Sequence, residues 1–223
     1  MAAEKFLFPT VNKLALCFLM ALGPVPAAAG EVEQRSASSS TATAALAALI
    51  DEFDGVTGRF RQSILDSANK NLEESSGSLA LQRPKFRWQV ETPFAQLIVV
   101  NGPVMQIYDP DLAQVTVHEL DAEMGPTPLT MLLGDTASLT SEFAVSSVVE
   151  GGEQRFLLYP KSPTSLILQA ELTFRGGLLQ GLLMWDSAGH RTRIQFSQIQ
   201  LAQRIEAELF NLVVPEGTDV IRG

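Results

Sequence analysis

Apolar positions recur along this chain first at helical spacing and then, for most of its length, at every second residue. From Ala44 to Phe53, Leu46, Leu49, Ile50 and Phe53 fall at i, i+3, i+4 and i+7, which predicts an amphipathic helix. Its remaining positions are mostly alanine, so cover on more than one side is expected. After Asp54 the period changes to two. Val56, Gly58, Phe60, Gln62 and Ile64 alternate with Thr57, Arg59, Arg61 and Ser63. A polar turn over Asn69–Glu74 leads to a strand beginning at Gly77–Leu81. The next strand sets Phe86, Trp88 and Val90 against Arg87, Gln89 and Glu91 and ends at Thr92-Pro93.

Gln96–Val100 is nearly unbroken apolar, and Asn101-Gly102 after it is a hairpin signal toward Met105–Tyr108. Val115 and Val117 then alternate with Thr116 and His118, placing His118 on the polar side. The β pattern stops at Gly125-Pro126-Thr127-Pro128. Thr127 suits an N-cap, Pro128 a first helical turn and Gly134 a C-terminal stop, so Leu129–Leu133 predicts one short, very apolar helix. Six further strands are expected: Ala144–Val149, Arg155–Tyr159, Leu166–Phe174, Leu178–Trp185, Thr192–Ile199 and Phe210–Val214, with turns at Gly176-Gly177 and Ser187-Ala188-Gly189. About ten or eleven antiparallel strands at short spacing, with short helices, imply a mostly β single domain: a barrel or a strongly curved sheet. Its apolar face is filled either by packed side chains or by a cavity that the helices cover.

The first residues do not belong to that domain. Lys5 and Lys13 precede a short apolar run, Leu14–Leu22. Gly23, Pro24 and Pro26 break it, and Ala27-Ala28-Ala29 offers a cleavage site. Residues 1–29 therefore read as a cleaved secretory signal peptide, residues 30–43 as a flexible leader, and residues 44–223 as the β domain. The single cysteine, Cys17, lies inside the apolar run, follows Leu16 and does not suit lipidation. Cleavage would leave an exported chain without disulfides, held together by its core.

Across its 223 residues the chain is 46% apolar, 18% charged and carries a net charge of −9. Such acidity gives a nucleic-acid backbone no basic patch to meet. No glycine-rich phosphate loop or nucleophile elbow appears, and the only histidines are His118 and His190. Asp109 and Asp111 flank Pro110 and could imitate a carboxylate pair, but they suit a turn better. No catalytic residue, metal site or cofactor is expected, and the chain does not read as an enzyme.

One charge sits awkwardly. Arg83-Pro84 opens the Phe86–Glu91 strand, and a cation beside so much apolar surface needs a partner or a wet location. Its context is specific. Phe60-Arg61-Gln62, Gly77, Leu79, Arg83-Pro84, Phe86-Arg87-Trp88, Pro93 and Gln96–Val99 follow in order. Asn101-Gly102, Tyr108–Asp111, Gln114-Val115, Thr127–Leu129 and Leu132–Gly134 come next. Asp186, Gly189, Thr192, Ile194–Phe196, Leu209-Phe210 and Pro215–Gly217 complete the series. From about Ala44 to Val220 this ordered set resembles the periplasmic outer-membrane lipoprotein carrier family, LolA.

The resemblance implies an unclosed antiparallel β-barrel with a helical lid over an apolar cavity. It implies a soluble periplasmic monomer that covers the acyl chains of lipoproteins. The cargo comes from an inner-membrane, ATP-driven transporter and goes to an outer-membrane receptor; the carrier itself takes no cofactor. It assigns Arg83 the part of a latch bonded to lid backbone, with Leu129, Leu132 and Leu133 as lid neighbours. Leu46, Leu49, Ile50, Phe60, Phe86, Trp88, Leu97 and Val99 would complete the lid and cavity wall. Two alternatives share the fold: the membrane-anchored receptor, and a lipid- or protein-sensing regulatory domain. Members of the family usually carry five residues between the arginine and the tryptophan. Arg83 and Trp88 have four, so the face that Arg83 takes depends on where the missing residue falls.

Overall fold

The computed structural model describes residues 39–52, 55–120 and 141–222. All of them belong to one compact unit. The expected helix Leu129–Leu133 lies outside the described residues, as do the leader through residue 38 and Phe53.

The N-terminal helix, α1 (Ser39–Asp51), starts five residues before the expected Ala44 and takes in the end of the presumed leader. The reason lies in packing. Ala42, Leu46 and Ile50 recur at i, i+4 and i+8, and all three are buried. A buried alanine gives no hydropathy signal, so the first turn reads as flexible from sequence alone.

Twelve strands follow among the described residues. They are β1 (Gly55–Leu65), β2 (Asn71–Gln82), β3 (Lys85–Thr92), β4 (Gln96–Asn101), β5 (Val104–Asp109), β6 (Gln114–Glu119), β7 (Phe143–Glu150), β8 (Glu153–Pro160), β9 (Ile167–Arg175), β10 (Leu178–Asp186), β11 (Arg191–Ala202) and β12 (Asp219–Arg222). They form one sheet in the order β12-β6-β5-β4-β3-β2-β1-β11-β10-β9-β8-β7. β12 and β7 are its two edges, so the barrel is unclosed. The sheet is antiparallel except for β12, which pairs in parallel with β6. The strand expected at Phe210–Val214 is absent. Phe210 instead ends a 3₁₀ turn, Ala207–Phe210, and the last strand comes nine residues later. Phe210 is buried, but as an anchor packed on the sheet rather than as a strand residue.

Two hairpins show why the turns fall where they do. Gly176 and Gly177 have φ of 56° and 78° and join β9 to β10, a left-handed pair that glycine adopts without Cβ strain. Between β4 and β5, Asn101 pairs with Val104, so Gly102-Pro103 makes the turn, one residue later than the Asn101-Gly102 signal.

Alternation sets two faces. The inner face gathers Phe60, Phe86, Trp88, Phe156, Leu172, Phe174, Leu182, Ile194 and Phe196 with α1 into one core. A smaller apolar group lies apart from it: Ala80, Val99, Val115 and Phe210 are buried but stand outside that core. The 3₁₀ turn packs on β3 and β4, and this covers the outer face there. Part of the sheet is therefore buried on both sides. His118 does not follow the expected pattern. It pairs with Met105, which pairs with Val100 of the inner core, so His118 shares the inner face while Val115 and Val117 turn outward.

Candidate functional site

The inner face becomes a site where α1 crosses it. Beneath the C-terminal end of α1 lies an apolar cavity of about 40 Å³. Ile50 roofs it. Val56, Leu81, Phe86, Phe174 and Phe196 are among its walls, and every lining residue but Arg83 is apolar. A space this size holds little more than a water or two, against the 300–1,000 Å³ typical of ligand pockets. With α1 seated over it, the apolar space is reduced to that size among the described residues.

Arg83 is the polar element of that closure. β2 and β3 are joined through the pair Gln82↔Lys85, so Arg83 and Pro84 form the tip of a two-residue connection. Arg83 thus stands in the turn, while Trp88 lies within β3 opposite Leu79. From there Arg83 Nη1 donates to the carbonyl oxygen of Ile50 at 2.9 Å. Ile50 is the penultimate residue of α1, one of the last four whose carbonyls lack a partner within the helix. A cation there also meets the negative end of the helix dipole. Burial pushes the Arg83 guanidinium below its ordinary pKa, and the nearby Asp51 carboxylate opposes that shift. The group stays charged, because an arginine is not deprotonated in proteins.

The other expected site residues separate by face. Leu46 and Ile50 are buried in α1, and Leu49 packs partly against the core. Phe60 and Trp88 stack with centroids 3.6 Å apart and planes 20° apart, and Phe86 follows at 5.9 Å from Trp88. Leu97 and Val99 do not join them. Trp88 pairs with Ile98 and Phe86 with Val100, so Ile98 and Val100 look inward. Val99 lies beside Arg87 on the outer face, buried in the smaller apolar group. A continuous apolar run hides its parity, and sheet register decides it. Leu129, Leu132 and Leu133 lie outside the described residues, so the latch bond described here runs to α1.

The sequence reading also missed wall residues on strands far along the chain. Leu172 and Phe174 on β9, Leu179 on β10 and Phe196 and Ile199 on β11 line the same cavity. Their alternation was visible, but no local signal said that their apolar side meets that of β2 and β3.

The comparisons with known proteins bear directly on this geometry. The family model for the outer membrane lipoprotein carrier protein LolA matches residues 51–213. The chain belongs to the LolA family. An outer-membrane lipoprotein carrier protein of Chromohalobacter salexigens is 43% identical over 178 residues, which are 79% of this chain and 85% of that one. The protein of the same description from Azotobacter vinelandii is 40% identical over 178 residues, 79% and 86% of the two chains. A crystal structure of an uncharacterized conserved protein from Thermus thermophilus superposes with a TM-score of 0.50 over 80% of this chain and 99% of that one. At 12% identity, that likeness speaks for the fold alone. The small apolar cavity beneath α1 and the Arg83–Ile50 bond are thus features of a LolA-family member.

Proposed function

We propose that this LolA-family protein is a soluble periplasmic carrier that takes up the acyl chains of lipoproteins inside its sheet and moves them from the inner to the outer membrane. It receives cargo from an ATP-driven inner-membrane transporter, passes it to an outer-membrane receptor and performs no catalysis. The observation that carries this reading is the apolar cavity roofed by Ile50 and closed by the Arg83–Ile50 bond.

The physics of the cargo supports it. Each CH₂ of an acyl chain costs about 0.8 kcal/mol to expose to water, so a lipoprotein in transit needs its chains covered. Apolar walls attract without direction, which suits flexible chains. For an acyl chain to enter, α1 must move away and the 40 Å³ space must widen. Among the described residues, the apolar packing of α1 and the Arg83–Ile50 bond oppose that motion. A charge-assisted hydrogen bond contributes roughly 1.5–3 kcal/mol, enough to hold an empty carrier shut and small enough for cargo to overcome.

A fluorescent apolar probe tests the reading. The purified protein is expected to bind it, and a triacylated lipopeptide should displace it while the unacylated peptide does not. Failure of the lipopeptide to compete would remove the proposal.

A further inference from the structure

A second cavity lies on the opposite face of the sheet. It is a trough of about 380 Å³ on the outer face of β1, β2, β3 and β11. Register explains its shape. Thr57 pairs with Ala80 and Ala80 with Arg87, while Arg59 pairs with Ser78 and Ser78 with Gln89. The small side chains of Ser78 and Ala80 on β2 therefore form a floor between longer residues on the flanking strands. Leu209 of the 3₁₀ turn stands among the lining residues beside Arg87.

One wall of the trough is irregular. Between the pairs Thr57↔Gln200 and Arg59↔Ser197, Gly58 faces two residues of β11, a β-bulge. Within it, Gln198 holds a left-handed backbone at φ 52°, uncommon for a residue other than glycine. Bulges of this kind re-aim side chains and gather next to binding sites. Here the bulged stretch brings both Gln198 and Gln200 to the trough.

The charges differ in how they are compensated. Arg59 donates through both Nη atoms to the two carboxylate oxygens of Glu91, each at 2.8 Å, a bidentate pair. Arg87 has neutral partners. Its Nη1 donates to the Leu209 carbonyl at 3.2 Å and its Nη2 to Gln89 Oε1 at 3.0 Å. These bonds use two of the five N–H donors of a guanidinium. Burial without a carboxylate partner holds Arg87 below its ordinary pKa. A half-buried cation left uncompensated at the wall of a trough, among carboxamides and hydroxyls, is a place for an anion.

We infer that this outer trough is a binding site for a carboxylate, with Arg87 as its cationic anchor and Gln198 and Gln200 bonding the amide groups of the molecule that bears it. One uncompensated guanidinium matches one negative charge. A phosphate dianion would meet the field of a chain whose net charge is −9. The carboxylate belongs either to a small free acid or to the C-terminus of a peptide, and the test separates the two.

The full folded protein is titrated with N-acetylglycine, with trialanine carrying a free C-terminus and with trialanine amide, following the amide resonances of Gly58, Ser78 and Gln200. The free-carboxylate trialanine is expected to bind at least tenfold tighter than its amide, and Arg87→Gln to erase that difference. Trialanine binding tighter than N-acetylglycine assigns the site to a peptide terminus, and equal binding assigns it to a free acid. Because Arg87→Gln also removes a bond to the 3₁₀ turn, the exposed Gln200 supplies a second pair of variants. Gln200→Glu should weaken the carboxylate ligands and Gln200→Lys strengthen them, with apolar-probe binding unchanged. Equal affinity for acid and amide, or insensitivity to charge at position 200, would overturn the assignment.

Discussion

Phe60 on β1 and Trp88 on β3 stack with ring centroids 3.6 Å apart although β2 runs between their strands. The stack is possible because the residue of β2 paired with Phe60 is Gly77. A Cβ at Gly77 would overlap the carbonyl oxygen of Gln89 and come within 3.1 Å of Phe60 Cε1. The absence of a side chain on β2 thus permits an aromatic contact between its neighbours, worth about 0.5–1.5 kcal/mol beyond area burial.

Gly77→Ala should therefore destabilise far more than the loss of glycine entropy in a strand would suggest, because the clash is with backbone. The expected result is a lowered midpoint in urea unfolding and a changed near-ultraviolet signal from Trp88. A Gly77→Ala protein with an unchanged midpoint would show that β2 shifts at no cost.

Arg83→Leu removes the bond to Ile50 and leaves an apolar side chain at the rim of the cavity. The Arg83–Ile50 bond is only part-buried, so the loss should sit near the lower end of the roughly 1.5–3 kcal/mol range. The ratio of closed to open states then falls roughly tenfold. Apolar-probe affinity should rise by about that factor, and cargo release to a receptor should slow. Unchanged affinity and release would take Arg83 out of the gating.

The two faces of β4 make opposite predictions. Ile98→Asn places an amide on the cavity side and should weaken probe binding. Val99→Asn buries one on the outer face, where an unsatisfied polar group costs about 1–3 kcal/mol. It should lower stability and leave the affinity of the folded protein unchanged. Phe210→Ala should behave like Val99→Asn, at a cost of about 3–5 kcal/mol typical of a buried phenylalanine.

The Arg59–Glu91 pair gives a pH signature. Arg59 holds the Glu91 carboxyl below its ordinary value of 4.5. A depressed carboxylate pKa contributes stability that is present above the unfolded-state value and is lost as pH falls through the folded-state value. The contribution should fade below about pH 4.5, and Glu91→Gln should flatten that part of the acid-stability profile. Both groups are exposed, so the effect should be small and should shrink further in salt.

Much of this protein was legible in the order of its residues. Alternation through Phe60, Phe86 and Trp88 identified strands and one apolar face, because a pleated strand presents every second side chain to the same side. The ordered motifs from Phe60 to Gly217 identified the family, and Arg83 stood out as a charge needing a partner. What sequence could not decide were relations between strands. Val99 and Ile98 are equally apolar, and only pairing with Arg87 and Trp88 tells outer from inner. Ala42 is a weak signal until its burial beneath Leu46 and Ile50 makes it part of α1. Phe210 reads as strand until it docks on the outer face as the end of a 3₁₀ turn. The partner of Arg83 lies 33 residues away at the end of a helix. Local periodicity determined which residues are apolar and how they alternate. Register and long-range contact decided which face encloses the cavity and which forms the trough, because a shift of one residue exchanges the two faces without altering the composition of either.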